Sequence, residues 1–373
     1  MNEFCDSFGI YKLAVTGTPA SFGPSQVSLL TRWNAIGTGS TQAGVLANKG
    51  NRGNPALYLP FGASIAKTFS RQTTYTVGFR LNMGCAAGVG NDTVSLIDLG
   101  NIANGGAQIL ASLLVKADGS VLVFGNGLTG TPIFTTPVAV AANTDCYLEF
   151  SATISGTTNM NVAAEVRVNG VTVGAGNANI GRNANTLALG AASFKFLYLN
   201  SGIATPGQAY ISDFYINNGA GATNTGFLAG TVAPYEQVGF LLPSADGSQL
   251  DWTPLSGSVH YTEINEIPQD GDASYVSAGT PGHIDTYHWQ AIPTFAGTIP
   301  TVQMSFCASS DQEGTRTFQG NIGPGGGQQQ TPEFGLCSGN FYRSGSFDLD
   351  PTTGKPWTQA AFNSRQFGIG LVR

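Results

Sequence analysis

Charged side chains are scarce in this chain. Lys and Arg number 16 and Asp and Glu 22 among 373 residues, 10% in all, against about 25% in ordinary soluble domains. A coiled coil needs charges flanking its apolar seam, and too few are present. The net charge of −6 leaves no basic footprint for nucleic acid. No apolar run reaches the roughly 18 residues that cross a bilayer as a helix. The opening stretch MNEFCDSFGIYKLAV lacks a basic segment followed by an apolar one, so synthesis in a cytoplasm without a secretory leader is expected. The five cysteines, Cys5, Cys85, Cys146, Cys307 and Cys337, are too widely spaced for a zinc pattern such as C-x2-C and read as buried free thiols. Two exceptions stand out. Cys5, in a terminal arm, is the candidate for an intermolecular disulfide. Cys307 and Cys337, in one domain, are candidates for an intradomain one. No G-x-S-x-G, phosphate-binding loop or dinucleotide fingerprint occurs in its required strand–helix context.

What is present is glycine, 51 residues, and an alternation of period two. Thr74–Leu81, Val94–Leu99, Cys146–Ile154, Phe194–Leu199 and Ala209–Ile216 alternate apolar with polar and read as strands. Ile109–Lys116 and Val121–Phe124 flank Asp118-Gly119, and Ala163–Val173 contains Asn169-Gly170, so both read as hairpins. Such short strands with Gly- and Asn-rich turns predict an all-β protein. Near residue 235 the composition shifts. All three histidines, His260, His283 and His288, and Trp252 and Trp289 follow it. The expected layout is an arm (1–8), a jelly-roll β-sandwich (9–235) and a smaller β-sandwich (236–373). In the second, Ser274–Ala278, Asp285–Ala291, Val302–Ser309, Thr315–Asn321 and Gln366–Val372 read as strands. One short helix is expected near the end, with Pro356 in its first turn and Trp357 and Phe362 facing inward. The charge-poor surface predicts self-association, because interface cores are depleted in charge.

Candidate chemistry is thin. Asp92, Asp98, Glu149 and Glu165 lie on or beside strands of the first sandwich, but no E-x-D-x-E spacing pairs them as in a glycosidase. Glu149, between Leu148 and Phe150, points away from their face and is expected to meet solvent. Asp270 and Asp272, in a Pro/Asp/Gly turn, are candidate calcium ligands, although the D-x-D-x-D-G loop is missing and turn formation accounts for both. Trp33, Tyr198, Tyr210 and Tyr215 are candidates for stacking on sugar rings; core packing is the competing role.

Three segments together resemble structural proteins of tailed-bacteriophage virions. Ile211–Gly219 (ISDFYINNG), followed by Asn224–Gly230 (NTGFLAG), is similar to the closing strand and exit of a concanavalin A-like lectin/glucanase sandwich. Trp252–Pro254, Tyr261–Glu266 and Pro268–Val276 look like a segment that follows that sandwich in such proteins. The third is Asp350-Pro351, Pro356–Thr358, Asn363 and Phe367-Gly368. The resemblance implies a virion component of the neck or collar, the tail or a head fibre, with no catalytic residues. The chain is therefore expected to be non-enzymatic, to need no cofactor and to reside in the virion. Its expected partners are copies of itself, as a trimer or a multiple of three or six, and neck, tail or capsid proteins. A host glycan is the partner under a rival adhesin reading, and glycan hydrolysis is a third.

Overall fold

Alternating segments pair into sheets because each strand has one apolar face to bury. In the computed structural model the described residues are 2–7, 35–36, 43–46, 55–60, 63–84, 93–103, 106–116, 118–125, 130–156, 159–180, 189–198, 208–220, 226–229, 238–267, 269–295, 297–311, 316–323, 329–336 and 338–373. They form two compact units, Glu3–Val238 and Gly239–Arg373.

The first unit contains β1 (Asn2–Asp6), β2 (Ala35–Ile36), β3 (Gly44–Leu46), β4 (Ala56–Pro60), β5 (Ser64–Gln72), β6 (Thr74–Gly84), β7 (Thr93–Ala103), β8 (Gly106–Lys116), β9 (Ser120–Gly125), β10 (Phe134–Val138), β11 (Asp145–Ser155), β12 (Asn161–Val168), β13 (Val171–Asn179), β14 (Leu189–Tyr198) and β15 (Gln208–Asn217). The front sheet runs β13-β12-β11-β6-β15-β4-β3, with β1 also paired to β15. The back sheet runs β10-β9-β8-β7-β14-β5-β2. Alternate residues of the front sheet fill the core: Tyr75, Val77, Phe79, Leu81 and Met83 of β6, and Cys146, Leu148, Phe150, Ala152 and Ile154 of β11. Each large side chain so buried contributes about 1.5–3 kcal/mol. The β12–β13 hairpin turns at Asn169 and Gly170, both at positive φ (53° and 73°), as the Asn-Gly pair predicts for a type I′ turn.

Two expectations fail at the N-terminus. Residues 2–6 are a strand of the front sheet rather than a free arm. Cys5 is 8% exposed and packs on Tyr147 and Tyr215, so its thiol is shielded from the cross-link expected of it.

The second unit contains β16 (Pro243–Leu250), β17 (Thr253–Pro254), β18 (Val276–Ser277), β19 (Ile284–Trp289), β20 (Val302–Ala308), β21 (Thr317–Gly323), β22 (Gln329–Gln330), β23 (Phe334–Gly335), β24 (Phe341–Phe347), the helix α1 (Gln359–Asn363) and β25 (Gln366–Leu371). Its main sheet runs β16-β19-β25-β21-β22, with β23 also on β21, and β20 pairs with β24. Val302 and Met304 of β20 pack on Ile322, Trp357, Phe362 and Phe367. Thr358 caps α1, its hydroxyl accepting the Ala361 N–H at 3.0 Å. Pro356 therefore precedes the cap instead of occupying the first turn. Trp357 and Phe362 face inward as expected, and the Trp357 indole donates to the Phe347 carbonyl at 2.9 Å.

Trp357→Ala removes the largest side chain of this core at a cost of about 3–5 kcal/mol. The expected outcome is a fall in the denaturation midpoint of residues 239–373, read by amide exchange on β21 and β25.

Candidate functional site

The outward face of the front sheet is where the molecule departs from a solvated β surface. Its side chains form cross-strand rows. The first row is Tyr58 on β4, Tyr210 on β15, Asn82 on β6 and Asp145 on β11, each directly opposite the next. The two tyrosine rings lie 5.5 Å apart and are half-buried. The Asn82 amide donates to Asp145 at 2.7 Å. The row spans four strands, about 14 Å at the usual strand spacing.

The second row is Ser212, Arg80 and Tyr147. Beyond it β15 bulges. Ser212 faces Arg80 and Tyr215 faces Gly78, so three steps on β15 match two on β6. Asp213 sits at the bulge with φ +48°, a left-handed conformation that Asp tolerates better than most residues. The bulge reverses the parity of the strand, placing Tyr210 and Tyr215 on the same outer face. The Arg80 Nε donates to Asp213 Oδ2 at 3.1 Å, and the Tyr147 hydroxyl donates to the Asp213 carbonyl at 2.9 Å.

The third row is Tyr215, Gly78 and Glu149. The Tyr215 ring lies across Gly78, where an added Cβ would sit 2.1 Å from a ring carbon. This lets the Tyr215 hydroxyl donate to Glu149 Oε1 on the strand beyond. The same oxygen accepts the backbone N–H groups of Leu228 at 2.9 Å and Ala229 at 3.0 Å. Glu149 is 0% exposed, and its Oε2 has no partner among the described residues. Burial pushes the Glu149 carboxyl above the ordinary carboxylate range, partly opposed by these hydrogen bonds. Burial likewise raises Asp213, against the bond from the Val238 N–H and the nearby Arg80.

The candidates from sequence fare unevenly. Glu149 points outward as its parity requires, but it is covered rather than solvated. Glu165 stands apart, accepting from Arg167 and Thr172. Tyr215 is buried and bound to Glu149, which removes it as a sugar-stacking surface in this state. Trp33 and Asp92 lie outside the described residues, as do the side chains of Tyr198 and Asp98. Asp270 accepts the N–H and hydroxyl of Ser274, closing a turn, and Asp272 is exposed. No group of three His, Cys, Asp or Glu among the described residues is placed to hold a metal ion. Cys307 carries a free thiol, which burial pushes up to about 11; Cys337, the other half of that candidate pair, lies outside the described residues. Sequence reasoning missed Tyr58, Arg80, Asn82, Asp145, Tyr147 and Asp213. The signal for Asp213 was an Asp between two alternating runs of opposite parity.

No family model and no curated protein matches the chain. Solved structures do resemble it. A marine PL-14 alginate lyase from Aplysia kurodai is 14% identical, with 58% of this chain and 99% of that one covered at a TM-score of 0.40. An endo-β-1,4-glucuronan lyase from the fungus Trichoderma reesei is 8% identical over 50% and 91% at 0.39. The alginate lyase vAL-1 from a Chlorella virus is 11% identical over 50% and 93% at 0.36. At these identities the likeness concerns the fold. The expectation that the chain is non-enzymatic is withdrawn, because solved structures that resemble it include proteins named as lyases and a sialidase.

Two outcomes follow from the third row. Gly78→Ala drives a methyl into the Tyr215 ring and destabilises the first unit by about 1–3 kcal/mol, measured by urea denaturation. A carboxylate whose folded-state value is raised binds more protons folded than unfolded. Stability therefore increases as pH falls from the raised folded value toward the unfolded one, about 4.3 for Glu. Glu149→Gln flattens that slope in urea midpoints measured across the same window.

Proposed function

We propose that the chain is a carbohydrate-binding component of a tailed-phage virion, with the outer face of the front sheet turned toward glycan. The observation that supports the binding role is the first row. Sugar rings present C–H faces that stack on aromatic rings, and hydroxyls that pair with amides and carboxylates. Tyr58 and Tyr210 supply the former, and Asn82 and Asp145 the latter, in one line across four strands.

The virion setting is supported by the three segments that resemble phage structural proteins. Assembly with copies of itself, and docking on neck, tail or capsid proteins, are supported by the low charge of the chain. Glycan contact and virion attachment are compatible roles, because a host-facing protein has to be both anchored and adhesive.

The test is a glycan array probed with the purified full chain, followed by titration of the best binder. Tyr58→Ala and Tyr210→Ala are each expected to weaken binding at least tenfold while leaving the far-ultraviolet spectrum unchanged. Binding that persists in both variants, or an array with no binder, contradicts the reading.

A further inference from the structure

We propose that Gly226–Ala229 is a displaceable strap over a second saccharide-binding patch, formed by Glu149, Tyr215, Tyr147 and Arg80. In this arrangement the strap donates to Glu149 the hydrogen bonds that sugar hydroxyls donate once it is displaced. The inference rests on the glycan reading above and extends it from the first row to the second and third.

The patch lies where the glycan surface continues. Arg80 is two residues along β6 from Asn82, about 7 Å at the usual rise, and Gly78 is two further. The patch is built rather than incidental. Its carboxylate is fully buried on the outward side of a sheet, and its tyrosines and guanidinium all come from paired strands.

The cover is of a different kind. Among the described residues Gly226–Ala229 pairs with no strand, and side chains hold it instead. The Glu149 carboxylate accepts from the Leu228 and Ala229 N–H groups, and the Leu228 N–H also lies 3.1 Å from the Tyr215 hydroxyl. The Asn217 amide donates to the Gly226 carbonyl at 2.9 Å. The Phe227 ring lies 4.0 Å from the Arg167 guanidinium. Leu228 and Ala229 pack on Cys5, Tyr147 and Tyr215.

The fit beneath the strap is also incomplete. Glu149 Oε2 and Arg80 Nη2, one acceptor and one donor, are buried with no partner among the described residues. Backbone N–H groups only donate and point in fixed directions, so the strap reaches one carboxylate oxygen and leaves the other. A hydroxyl both donates and accepts, so a run of sugar hydroxyls can satisfy the carboxylate and the guanidinium together. That difference identifies the ligand as a polyhydroxylated one.

Cys5, beneath the strap, reports on the cover, and Cys146, in the sandwich core, reports on the fold. The full chain is labelled with N-ethylmaleimide and each site is read by peptide mass spectrometry. Leu228→Pro/Ala229→Pro deletes both N–H donors and leaves Glu149, Tyr215, Tyr147 and Arg80 unsubstituted. The expected result is at least tenfold faster labelling at Cys5 with Cys146 still protected, and at least tenfold tighter binding of the array glycan that wild type binds. Phe227→Ala, a milder change, moves Cys5 labelling in the same direction by a smaller factor. Cys5 that stays protected in both variants overturns the proposal. So does parallel labelling of Cys146, which makes the segment part of the fold. Faster Cys5 labelling with no gain in glycan binding overturns the ligand assignment. If wild type still binds glycan through Tyr58 in that case, the strap proposal alone fails; if neither protein binds any glycan, the reading it rests on fails too.

Discussion

Glu149 takes a carboxylate out of water on the side of a sheet that ordinarily faces it. Burying such a group is costly unless hydrogen bonds replace the lost hydration, and the surroundings follow from that requirement. A tyrosine on β15 has to reach across β6, so the residue between them is Gly78. The reach needs Tyr215 on the outer face, so β15 bulges at Asp213. Two further donors come from the backbone of Leu228 and Ala229, which brings the chain back over the sheet. Remove the carboxylate, and the ring placement, the bulge and the crossing segment lose their common partner.

The second unit uses the same device. Asp285, fully buried, accepts from the Tyr287 hydroxyl and the Trp252 N–H, and its other contact is His260 Nδ1 at 2.7 Å. Asp246 accepts the N–H groups of His260 and Tyr261. Asp350 accepts from Thr352, Thr353 and Arg365, fixing the turn ahead of α1. In a chain with only 22 acidic residues, several of them tie non-strand segments to a sheet. Loops rich in Gly and Asn have little apolar surface of their own, so a charge-assisted bond to their N–H groups is an effective anchor.

The strands that alternate strictly were legible in sequence. β6, β11, the β8–β9 pair and the β12–β13 hairpin all lie where period two and the turn residues put them. β16 was not legible, because Pro243, Asp246 and Gly247 break the pattern, and an edge strand tolerates them. β24 carries Arg343, Ser344 and Ser346 and has no clean alternation. The outward direction of Glu149 was legible from parity. Its burial was not, because the cover comes from residues 79 and 80 positions further along the chain, and no local pattern encodes a contact of that range. Tyr210 and Tyr215 differ in parity, so plain alternation separates them; the bulge at Asp213 reunites them. Cys5 was misplaced for a related reason, since a five-residue edge strand resembles a free terminus until its partner is known.

The claim on which the account turns is that the buried Glu149 carboxylate holds the backbone of Leu228 and Ala229. Amide hydrogen exchange resolved at those two residues tests it most directly, comparing wild type with Glu149→Ala under conditions where β11 itself remains protected. The account predicts slow exchange at both amides in wild type and a loss of that protection in the variant. Exchange at the rate of an open chain in wild type, or equal protection in the two proteins, contradicts it.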